Sequence, residues 1–313
     1  MYSNKHKFKL FVMVGLSGSG KSSEAEKLAE KYHADIVTLD EIERIFPVMQ
    51  NKQVREEKVL SRFCNKIRET LEQKRNVVAD AANISMYSRR RILNAVKGLQ
   101  LEKICCLMVK PYEDCIRDSK KERGIIEKQI RKFEIPFKGE GWDRIKVYDV
   151  SERKYSFGEL KLQMEGFDQK NPHHDRDLLS HCNYAAELYK VECERIDNKE
   201  FGDFAGNIAF HIGAQLHDIG KLYCQTIDEN GIGHYYQHHC IGAYYILTHL
   251  ERKGEFAKDD TLLKCCFLVN YHMLPFIWKN EKIKVRWKKR FGEYNYQILS
   301  LFHLCDIKRD TEM

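Results

Sequence analysis

The chain has 313 residues, about twice the length of a common domain, so two separate cores are expected. Its 43% hydrophobic residues, 32% charged residues and 5 prolines exclude extended disorder and low-complexity structure. The formal net charge of +7 is compatible with a polyanionic partner but does not by itself identify one.

The sequence predicts a cytoplasmic protein with no membrane role. No apolar stretch approaches the roughly 18 to 20 residues that span a bilayer, and the first residues lack the long apolar core of a signal peptide. The 11 cysteines include two adjacent pairs in apolar segments, Cys105–Cys106 and Cys265–Cys266, and no C-x-x-C spacing. They are predicted to be reduced and mostly buried.

The first half of the chain alternates short apolar runs with amphipathic stretches, which is typical of a parallel sheet covered by helices. A long amphipathic helix is predicted around Leu60–Leu71. Residues 1–155 are therefore predicted to form an α/β domain, and residues 156–313 an all-α domain. The predicted strands are Phe8–Val14, Asp35–Leu39, Asn76–Asp80, Lys103–Val109 and Arg144–Val150.

A complete G-x-x-x-x-G-K-S motif, Gly15–Ser22, follows the first predicted strand. In such a loop the backbone N–H groups enclose phosphate oxygens at the start of a helix. The lysine reaches the β and γ phosphates, and the serine binds Mg²⁺. The motif thus predicts ATP and Mg²⁺ as cofactors, with Mg²⁺ on Ser22. The predicted ATP contacts are Gly15, Ser17, Gly18, Ser19, Gly20, Lys21, Ser22 and Ser23.

Two aspartates follow later strands of the predicted sheet. Asp40 comes after the second strand, where a carboxylate can take the proton from an attacking hydroxyl. Asp80 ends the third strand and is expected to face the same cleft. Each aspartate also precedes a helix, so helix capping is the alternative role. Catalysis is the favoured reading for Asp40, whereas both roles stay open for Asp80.

Residues 8–150 resemble the phage-type polynucleotide 5′-hydroxyl kinase family, which has a P-loop kinase fold. The resemblance lies in the phosphate loop, the aspartate after strand two, the D-x-x-N of Asp80–Asn83 and the basic segment 111–136. It implies that Asp40 is the general base on a 5′-hydroxyl and that residues 111–136 form a lid over ATP. The lid arginines implied as phosphate ligands are Arg117 and Arg123, and the implied acceptor contacts include Asp80 and Asn83.

The chain departs from that family at one position of the acceptor site. The family usually has an arginine three residues after the catalytic aspartate, whereas this chain has Glu43 there and Arg44 one residue later. Arg44 is the predicted replacement. If it does not reach the acceptor, a nucleoside, a small metabolite or a sugar becomes the alternative acceptor.

The second half is rich in histidine, with 11 of the 13 histidines from His173 onward. Imidazoles and carboxylates from separate helices suit a divalent metal with exchangeable waters rather than a thiolate zinc site. The adjacent His217 and Asp218 are expected to bind one ion, with His181 and Asp306 completing its ligands. Lys221 is expected to meet a substrate phosphate. Mn, Ni, Co, Fe, Zn and Mg²⁺ are the candidate metals, and hydrolysis is the expected chemistry.

The order H…HD…D resembles the HD phosphohydrolase superfamily from about Phe167 to Asp306. The segments 167–174 and 233–239 resemble the HD domain of bacterial CCA-adding tRNA nucleotidyltransferases, a domain associated with 2′-phosphatase and 2′,3′-cyclic phosphodiesterase activity. Comparison with two-metal members implies a second ion on His238 and His272, with His239 replacing His238 if the helix register differs by one. The histidines expected to be structural are His211, His234, His249 and His303.

One basic run and the pairing of two phosphate chemistries favour a nucleic-acid substrate. Lys282–Phe291 interleaves cations with Trp287 and Phe291, which suits a strand with stacked bases. The alternative is a solvated face whose aromatic side packs inward. Ribonuclease cleavage leaves 5′-hydroxyl and 2′,3′-cyclic phosphate ends, so the predicted function is healing of RNA ends by the two domains together.

Several alternatives to this function stay open. DNA ends are an alternative to RNA ends, and the RNA reading admits a separate RNA ligase as a partner. A small-molecule or nucleoside kinase fused to an HD nucleotide phosphohydrolase is the second prediction. A regulatory protein in which one site only senses a ligand is the third.

Overall fold

The computed structural model describes residues 8–47, 50–152, 154–171, 176–196 and 207–308. His173 and His174, which belong to the segment compared with tRNA nucleotidyltransferases, lie outside these ranges. The chain forms two compact units. The first comprises residues up to Gln129 together with Glu140–Val150, and the second comprises Ile130–Gly139 and the residues from Ser151 onward. Within the described ranges, no helix has both the length and the apolar character needed to cross a bilayer.

The first unit is built on a five-stranded sheet in which every pairing is parallel. The strand order is β2-β3-β1-β4-β5. The central strand β1 has β3 on one side and β4 on the other, so the chain reverses its winding direction there, and the carboxyl edge beside it is where open α/β sheets bind ligands. The strands are β1 Phe8–Val14, β2 Ala34–Thr38, β3 Asn76–Asp80, β4 Leu101–Val109 and β5 Arg144–Asp149.

Helices flank this sheet, which confirms the predicted α/β fold. Strands β1, β3 and β4 are almost continuously buried, as expected when both faces of a sheet are covered. Phe11, Met13, Val78 and Ile104 form the centre of one apolar cluster. The helices are α1 Lys21–Tyr32, α2 Leu39–Ile45, α3 Lys52–Glu72, α4 Met86–Ala95, α5 Tyr112–Asp118 and α6 Arg123–Ile130, with a 3₁₀ turn at Lys138–Glu140.

The second unit is largely helical, as predicted. In its described residues the α-helices are α7 Phe157–Leu162, α8 Leu178–Arg195, α9 Ile208–Gln215, α10 His238–His249, α11 Asp259–Tyr271, α12 Glu281–Phe291 and α13 Glu293–Asp306. Short 3₁₀ helices span Ile219–Tyr223, Gly254–Ala257 and Leu274–Ile277, and the two-residue strands β6 Thr226–Ile227 and β7 Gly233–His234 form an antiparallel hairpin.

The segment 130–139 belongs to this helical unit through specific contacts. The Ile135 N–H donates to Asn270 Oδ1 at 2.7 Å, and Asn270 Nδ2 donates to the Phe133 carbonyl at 3.0 Å. The Tyr271 hydroxyl donates to the Ile135 carbonyl at 3.0 Å, and the Phe133 ring packs edge-on against Tyr244 at 5.0 Å. The predicted lid, residues 111–136, is therefore divided between the two units.

Candidate functional site

The phosphate loop connects the end of β1 to the start of α1. Gly18 and Gly20 have φ angles of 86° and 87°, a left-handed conformation that strongly favours glycine. A Cβ atom at Gly18 would lie 2.1 Å from the Cys115 carbonyl oxygen, so the loop has no room for a side chain there. Ser19 Oγ is buried without a hydrogen-bond partner. A close-packed backbone with an unsatisfied polar atom fits a loop built to receive phosphate oxygens.

Lys21 is buried at the first position of α1, with 9% of its surface exposed. Its Nζ atom donates to the Leu16 carbonyl at 2.7 Å. Burial lowers the pKa of Lys21 to about 8, against the opposing effect of the Asp80 carboxylate. Burial therefore disfavours the charged form of Lys21, and a phosphate bound beside it would stabilise that form.

Ser22 and Asp80 meet directly. Ser22 Oγ donates to Asp80 Oδ2 at 2.7 Å, and this pairing joins the phosphate loop to the end of the neighbouring strand β3. A hydroxyl and a carboxylate at the exposed mouth of the loop are the oxygen ligands that Mg²⁺ prefers, so the pair fits that ion. Ser23, the next residue of α1, is exposed.

The structure answers the capping alternative for both aspartates. Thr38 Oγ1 accepts from the Glu41 N–H at 3.2 Å, so Thr38 rather than Asp40 caps α2. Helix α4 is capped by Ser85 rather than by Asp80. The Asp40 carboxylate lies 3.3 Å from Lys121 Nζ, a lid residue that the sequence reasoning had not singled out. Asp40 therefore does not cap a helix, and its carboxylate lies beside the cation of Lys121 in the predicted lid.

Two polar residues that the sequence reasoning missed contact the phosphate loop, Gln129 in the predicted lid and Lys110 just before it. Gln129, on α6, makes two hydrogen bonds with Ser17. Lys110 Nζ donates to the Gly18 carbonyl at 3.3 Å and also pairs with Asp118. The only sequence signal for these residues was their place in a basic segment after β4.

The predicted lid arginines, Arg117 and Arg123, are both exposed, and the ion pairs of Arg117 are with its own helix rather than with the phosphate loop. Arg117 pairs with its helical neighbours Asp114 at 2.7 Å and Asp118 at 3.1 Å. Arg123 is the first residue of α6. Their predicted role on ATP phosphates stays a prediction.

The predicted acceptor residues occupy different environments. Arg44 lies exposed on α2, in the turn after Asp40. Asn83 is buried with a φ of 45°, and its Nδ2 atom donates to the Met13 carbonyl at 2.8 Å. Arg89 donates to the Asn83 carbonyl and forms a fully buried ion pair with Glu140. Asn83 therefore contributes at least a structural link between β1 and the segment after β3.

The second unit contains a compact cluster around the Asp218 carboxylate, which lies between two pairs of histidines. Asp218 Oδ2 is 3.4 Å from His217 Nε2 and 3.6 Å from His181 Nε2. Asp218 Oδ1 is 3.0 Å from His238 Nε2 and 3.6 Å from His272 Nε2. One carboxylate oxygen thus faces each pair, which is the arrangement expected of a carboxylate shared by two ions.

Three of these histidines have their ring orientation fixed by the backbone. The Nδ1 atoms of His217, His238 and His272 lie 2.8, 2.9 and 2.7 Å from the carbonyls of Ala214, Tyr235 and Val269. A proton on each Nδ1 leaves the Nε2 lone pairs pointing into the cluster, the tautomer that binds metals. His217 Nε2 is buried and lacks a hydrogen-bond partner. This donor set fits a divalent metal.

Asp306 closes the cluster on the side of His181 and His217. Its Oδ1 atom lies 3.2 Å from His181 Nε2 and 3.1 Å from His217 Nε2. Among the described residues, the groups with ligand atoms close enough for one ion are His181, His217 and Asp306, and His217, Asp218 and His272. Five of the six predicted metal ligands of this half belong to these two groups, and the sixth, His238, lies 3.0 Å from Asp218 Oδ1.

Lys221 reaches the same cluster from the 3₁₀ helix. Its Nζ atom lies 2.7 Å from Asp218 Oδ2 and donates to Gln169 Oε1 at 2.7 Å. Burial raises the pKa of Asp218, but Lys221, His217 and His238 outweigh it and hold that pKa well below the usual range. Gln169, which is also buried, lies in the segment 167–174, but no role was predicted for it.

Among the residues that the structure describes, the other histidines of this half are not members of these metal groups. His239 adjoins His238, and burial, with His272 and His238 nearby, lowers the pKa of His239 to about 3. His238, not His239, contacts Asp218. His234 pairs with Asp228 at 3.0 Å, and His249 stacks on Tyr245.

The basic run on α12 differs from one of the two predictions. Trp287 and Phe291 are buried, with 7% and 1% of their surfaces exposed, so their rings are not available to stack bases. The expectation of exposed aromatic rings was wrong, because the side of α12 that carries Trp287 and Phe291 packs against the protein interior. Lys282, Arg286 and Lys289 remain exposed, and their i, i+4, i+7 spacing puts them on one face of the helix.

Comparisons with known proteins place the first unit. The family described as AAA domain matches residues 10–133, which identifies a P-loop kinase-like domain in less than half of the chain. No curated protein matches the chain. The match to a chain of the Pnkp1/Rnl/Hen1 RNA repair complex has 20% identity and a TM-score of 0.37, and it covers 42% of this chain and 45% of that one.

Two kinases show similarity of the same order. A gluconokinase from Sinorhizobium meliloti 1021 is 18% identical with a TM-score of 0.35, and the match covers 46% of this chain and 83% of that chain. The Mycobacterium tuberculosis APS kinase CysC is 18% identical with a TM-score of 0.37, and the match covers 46% of this chain and 91% of that chain. The match thus spans less than half the length of the chain from the RNA repair complex but most of the length of each of the two kinase chains.

Proposed function

We propose that this protein heals broken RNA ends, with an ATP-dependent 5′-hydroxyl kinase in the first unit and a metal-dependent phosphohydrolase in the second. The observation that carries the proposal is the Asp218 carboxylate between two pairs of inward-facing histidines, in the same chain as a P-loop kinase-like domain. A kinase and a hydrolase for phosphate esters match the two ends that ribonucleases leave.

In the kinase half, the residues divide into phosphate binding and proton transfer. The loop N–H groups and Lys21 hold the ATP phosphates, and Ser22 with Asp80 supplies oxygen ligands for Mg²⁺. The oxygen of the acceptor hydroxyl bonds to the γ-phosphorus while Asp40 accepts the hydroxyl proton. The bond between the γ-phosphorus and the ADP oxygen breaks, and ADP leaves. Lys121 places a positive charge beside Asp40. The Asp80–Ser22 contact favours Mg²⁺ binding over the acceptor role implied for Asp80 by resemblance.

In the second half, one divalent ion would be held by His181, His217, Asp218 and Asp306, and a second by His238, His272 and the other oxygen of Asp218. A divalent metal supplies Lewis-acid activation of water and of the phosphoryl group. Lys221 contributes a buried cation for the substrate phosphate, and Gln169 orients its ammonium group. The product of opening a cyclic phosphate is a monoester, which the same cluster can hydrolyse to a hydroxyl.

The end-group assay tests both halves at once. The protein is incubated with ATP, Mg²⁺ and Mn²⁺ on a short RNA that carries a 5′-hydroxyl and a 2′,3′-cyclic phosphate. We expect Lys21→Ala to abolish 5′ phosphorylation alone and Asp218→Ala to abolish the change at the cyclic end alone. The matched controls are Lys27→Ala, an exposed lysine of the same helix, and Asp228→Ala, which breaks an aspartate–histidine pair outside the cluster.

Metal content gives a readout that does not depend on activity. We expect the purified protein to hold two equivalents of a divalent metal, His272→Ala to hold one, and Asp218→Ala to hold few or none. Full metal content in Asp218→Ala would contradict the proposed centre, whereas Asp228→Ala should keep both ions.

A second candidate function follows from Glu43, which occupies the position where the polynucleotide kinase family has an arginine. A small-molecule or nucleoside kinase joined to an HD nucleotide phosphohydrolase would not need that contact. Phosphorylation of free nucleosides with the same kcat/KM as of RNA ends would favour this function. Under the RNA proposal, the healed ends are substrates for a separate RNA ligase, and DNA ends are the competing substrate to include in the assay.

A further inference from the structure

The turn after β3, residues 80–84, is bonded to the start of the phosphate loop. The Gly15 N–H donates to the Ala82 carbonyl at 3.0 Å, and Asn83 Nδ2 donates to the Met13 carbonyl at 2.8 Å. Asn83 makes this bond in a left-handed conformation with a φ of 45°, a region that asparagine tolerates better than most residues with a side chain. A shift of the turn would therefore be transmitted to the loop.

A buried arginine holds the other side of this turn. Arg89, on α4, is fully buried, and its Nη1 atom donates to the carbonyls of Asn83 at 3.2 Å and Ile84 at 3.1 Å. Its Nε and Nη2 atoms donate to the two oxygens of Glu140 at 2.8 and 2.6 Å. Trp142 Nε1 donates to the same carboxylate at 3.0 Å. The guanidinium thus joins the turn to a carboxylate that is itself held in place.

Stability alone does not account for this ion pair. The cost of removing two charges from water largely offsets their attraction, so apolar side chains of similar volume can often replace a buried ion pair without loss of stability. A guanidinium also fixes the direction of the carbonyls that it binds, because its donors form a rigid planar fork. Apolar side chains cannot do this. The pair is therefore suited to holding the turn in one conformation.

Asp80 is the residue whose position depends on this conformation. It begins the turn, three residues before Asn83, and its Oδ2 atom accepts from Ser22 Oγ at 2.7 Å. These two oxygens fit Mg²⁺, which demands near-ideal octahedral geometry and tolerates little displacement of its ligands. A turn that was free to shift would move Asp80 relative to Ser22 and weaken the binding of the ion.

We propose that Arg89, together with Glu140, is a positioning residue for Mg²⁺-bound ATP. The pair fixes the turn 80–84, and with it Asp80, against the phosphate loop. The inference rests on the proposed kinase function of this unit, and it adds a residue that acts through Asp80 rather than on the nucleotide. The contribution of Mg²⁺ to ATP affinity should therefore depend on Arg89, whereas the fold should not.

The test measures how much Mg²⁺ strengthens ATP binding. Isothermal titration calorimetry of ATP is carried out on the full-length protein in excess Mg²⁺ and in EDTA, and the ratio of the two affinities is the Mg²⁺ enhancement. The double variant Arg89→Met with Glu140→Leu replaces the ion pair by an apolar pair. We expect its Mg²⁺ enhancement to be about tenfold smaller than that of the wild type, which corresponds to about 1.4 kcal/mol. The affinity in EDTA should change far less.

Two further variants separate positioning from a general loss of structure. Arg89→Lys keeps a charge beside Glu140 but lacks the planar fork, so it should lose about threefold of the Mg²⁺ enhancement. The matched control is Arg91→Met with Glu57→Leu, because Arg91 is on the same helix and forms a partly exposed ion pair with Glu57 at 2.9 Å. The control should keep the wild-type enhancement. Thermal unfolding establishes that each variant is folded.

A wild-type Mg²⁺ enhancement in either folded Arg89 variant would overturn the proposal, and so would an ATP affinity of the wild type that does not depend on Mg²⁺. The wild-type result is decisive even if the double variant does not fold. Phosphorylation of RNA 5′ ends is assayed separately. An enhancement that requires Arg89, in a protein that phosphorylates no RNA, would leave the positioning role standing and remove the RNA kinase. Phosphorylation of RNA with an enhancement independent of Arg89 would do the reverse.

Discussion

The side chain of Gln129 makes two hydrogen bonds with Ser17 of the phosphate loop. The Ser17 N–H donates to Gln129 Oε1 at 2.8 Å, and Gln129 Nε2 donates to Ser17 Oγ at 3.0 Å. The lid helix is thus tethered to the loop before any nucleotide arrives, and the tether is formed by both ends of one amide.

Gln129→Ala is expected to weaken ATP binding by about three- to tenfold, because an untethered lid must be ordered when ATP binds and each such hydrogen bond contributes about 0.5–1.5 kcal/mol. Isothermal titration calorimetry measures the change, with Lys128→Ala as the control, since Lys128 is an exposed neighbour on the same helix. Tighter ATP binding by Gln129→Ala would instead mean that the amide competes with phosphate.

ATP binding near pH 8 is expected to take up protons. Burial lowers the pKa of Lys21 to about 8, so about half of the lysines are neutral at that pH, and phosphate binding restores their charge. Calorimetry in two buffers of different ionisation enthalpy should give an uptake of about half a proton at pH 8 that vanishes towards pH 6. Lys27→Met should behave as the wild type, and the absence of any uptake at pH 8 would refute the shifted pKa.

Lys21→Met is expected to stabilise the ligand-free protein. A lysine whose folded pKa of about 8 lies below its ordinary value of 10.5 destabilises the fold at pH values below 8, and this penalty disappears as the pH rises from 8 to 10.5. The substitution should therefore raise the free energy of unfolding by about 1–3 kcal/mol at pH 7, and the gain should shrink above pH 8. Denaturant titrations at pH 7 and pH 10 check both the sign and the trend.

Gly220→Ala is expected to disrupt the metal centre without altering any ligand. A Cβ atom there would lie 2.0 Å from the His238 carbonyl oxygen and 2.6 Å from the Gly242 nitrogen, so the 3₁₀ helix and α10 must separate. The predicted loss is about 1–3 kcal/mol of stability together with bound metal, read out by thermal unfolding and by metal analysis. Gly158→Ala, in a helix with open space around the site, should leave the metal content unchanged.

The thiols are expected to resist alkylation in the folded protein. All 11 cysteines are buried and none forms a disulfide, and burial raises the pKa of Cys64 to about 11 and that of Cys106 and Cys265 to about 12. Because the thiolate is the reactive form, iodoacetamide at pH 8 should add nothing to the native protein and 11 groups after guanidinium unfolding, as counted by mass spectrometry. Rapid labelling of the native protein would show that these residues are not enclosed.

The parts of the fold that depend on local pattern were predictable, and those that depend on distant contacts were not. Five apolar runs matched the five strands to within two residues, because strands buried on both faces read as continuous apolar segments. The Gln129–Ser17 and Lys121–Asp40 contacts join residues more than eighty positions apart, and neither carries a motif. The burial of Trp287 was not predictable either, since helical spacing shows that one face of the helix is aromatic but not whether that face is buried or exposed.

The metal cluster lies between these extremes. His217 and Asp218 were predictable as a metal-binding pair because they are adjacent in the histidine-rich half of the chain, whereas His238 and His272 were implied only by the resemblance to two-metal members of the HD superfamily. The sharing of Asp218 between two histidine pairs was not predictable, because it depends on how four separate elements place their Nε2 atoms around one carboxylate. Gln169 was hidden for the same reason, since an amide that orients a lysine has no spacing rule.

The chain crosses between the two units three times, after Gln129, Gly139 and Val150. Cutting it at any one point leaves one unit incomplete, because Phe133, Ile135 and Phe137 lie in the first half of the sequence and pack among residues of the second. No single cut of the chain therefore separates the two units with both of them complete. A recombination event that transferred the whole kinase-like unit in one piece would also transfer residues 130–139, which belong to the helical unit.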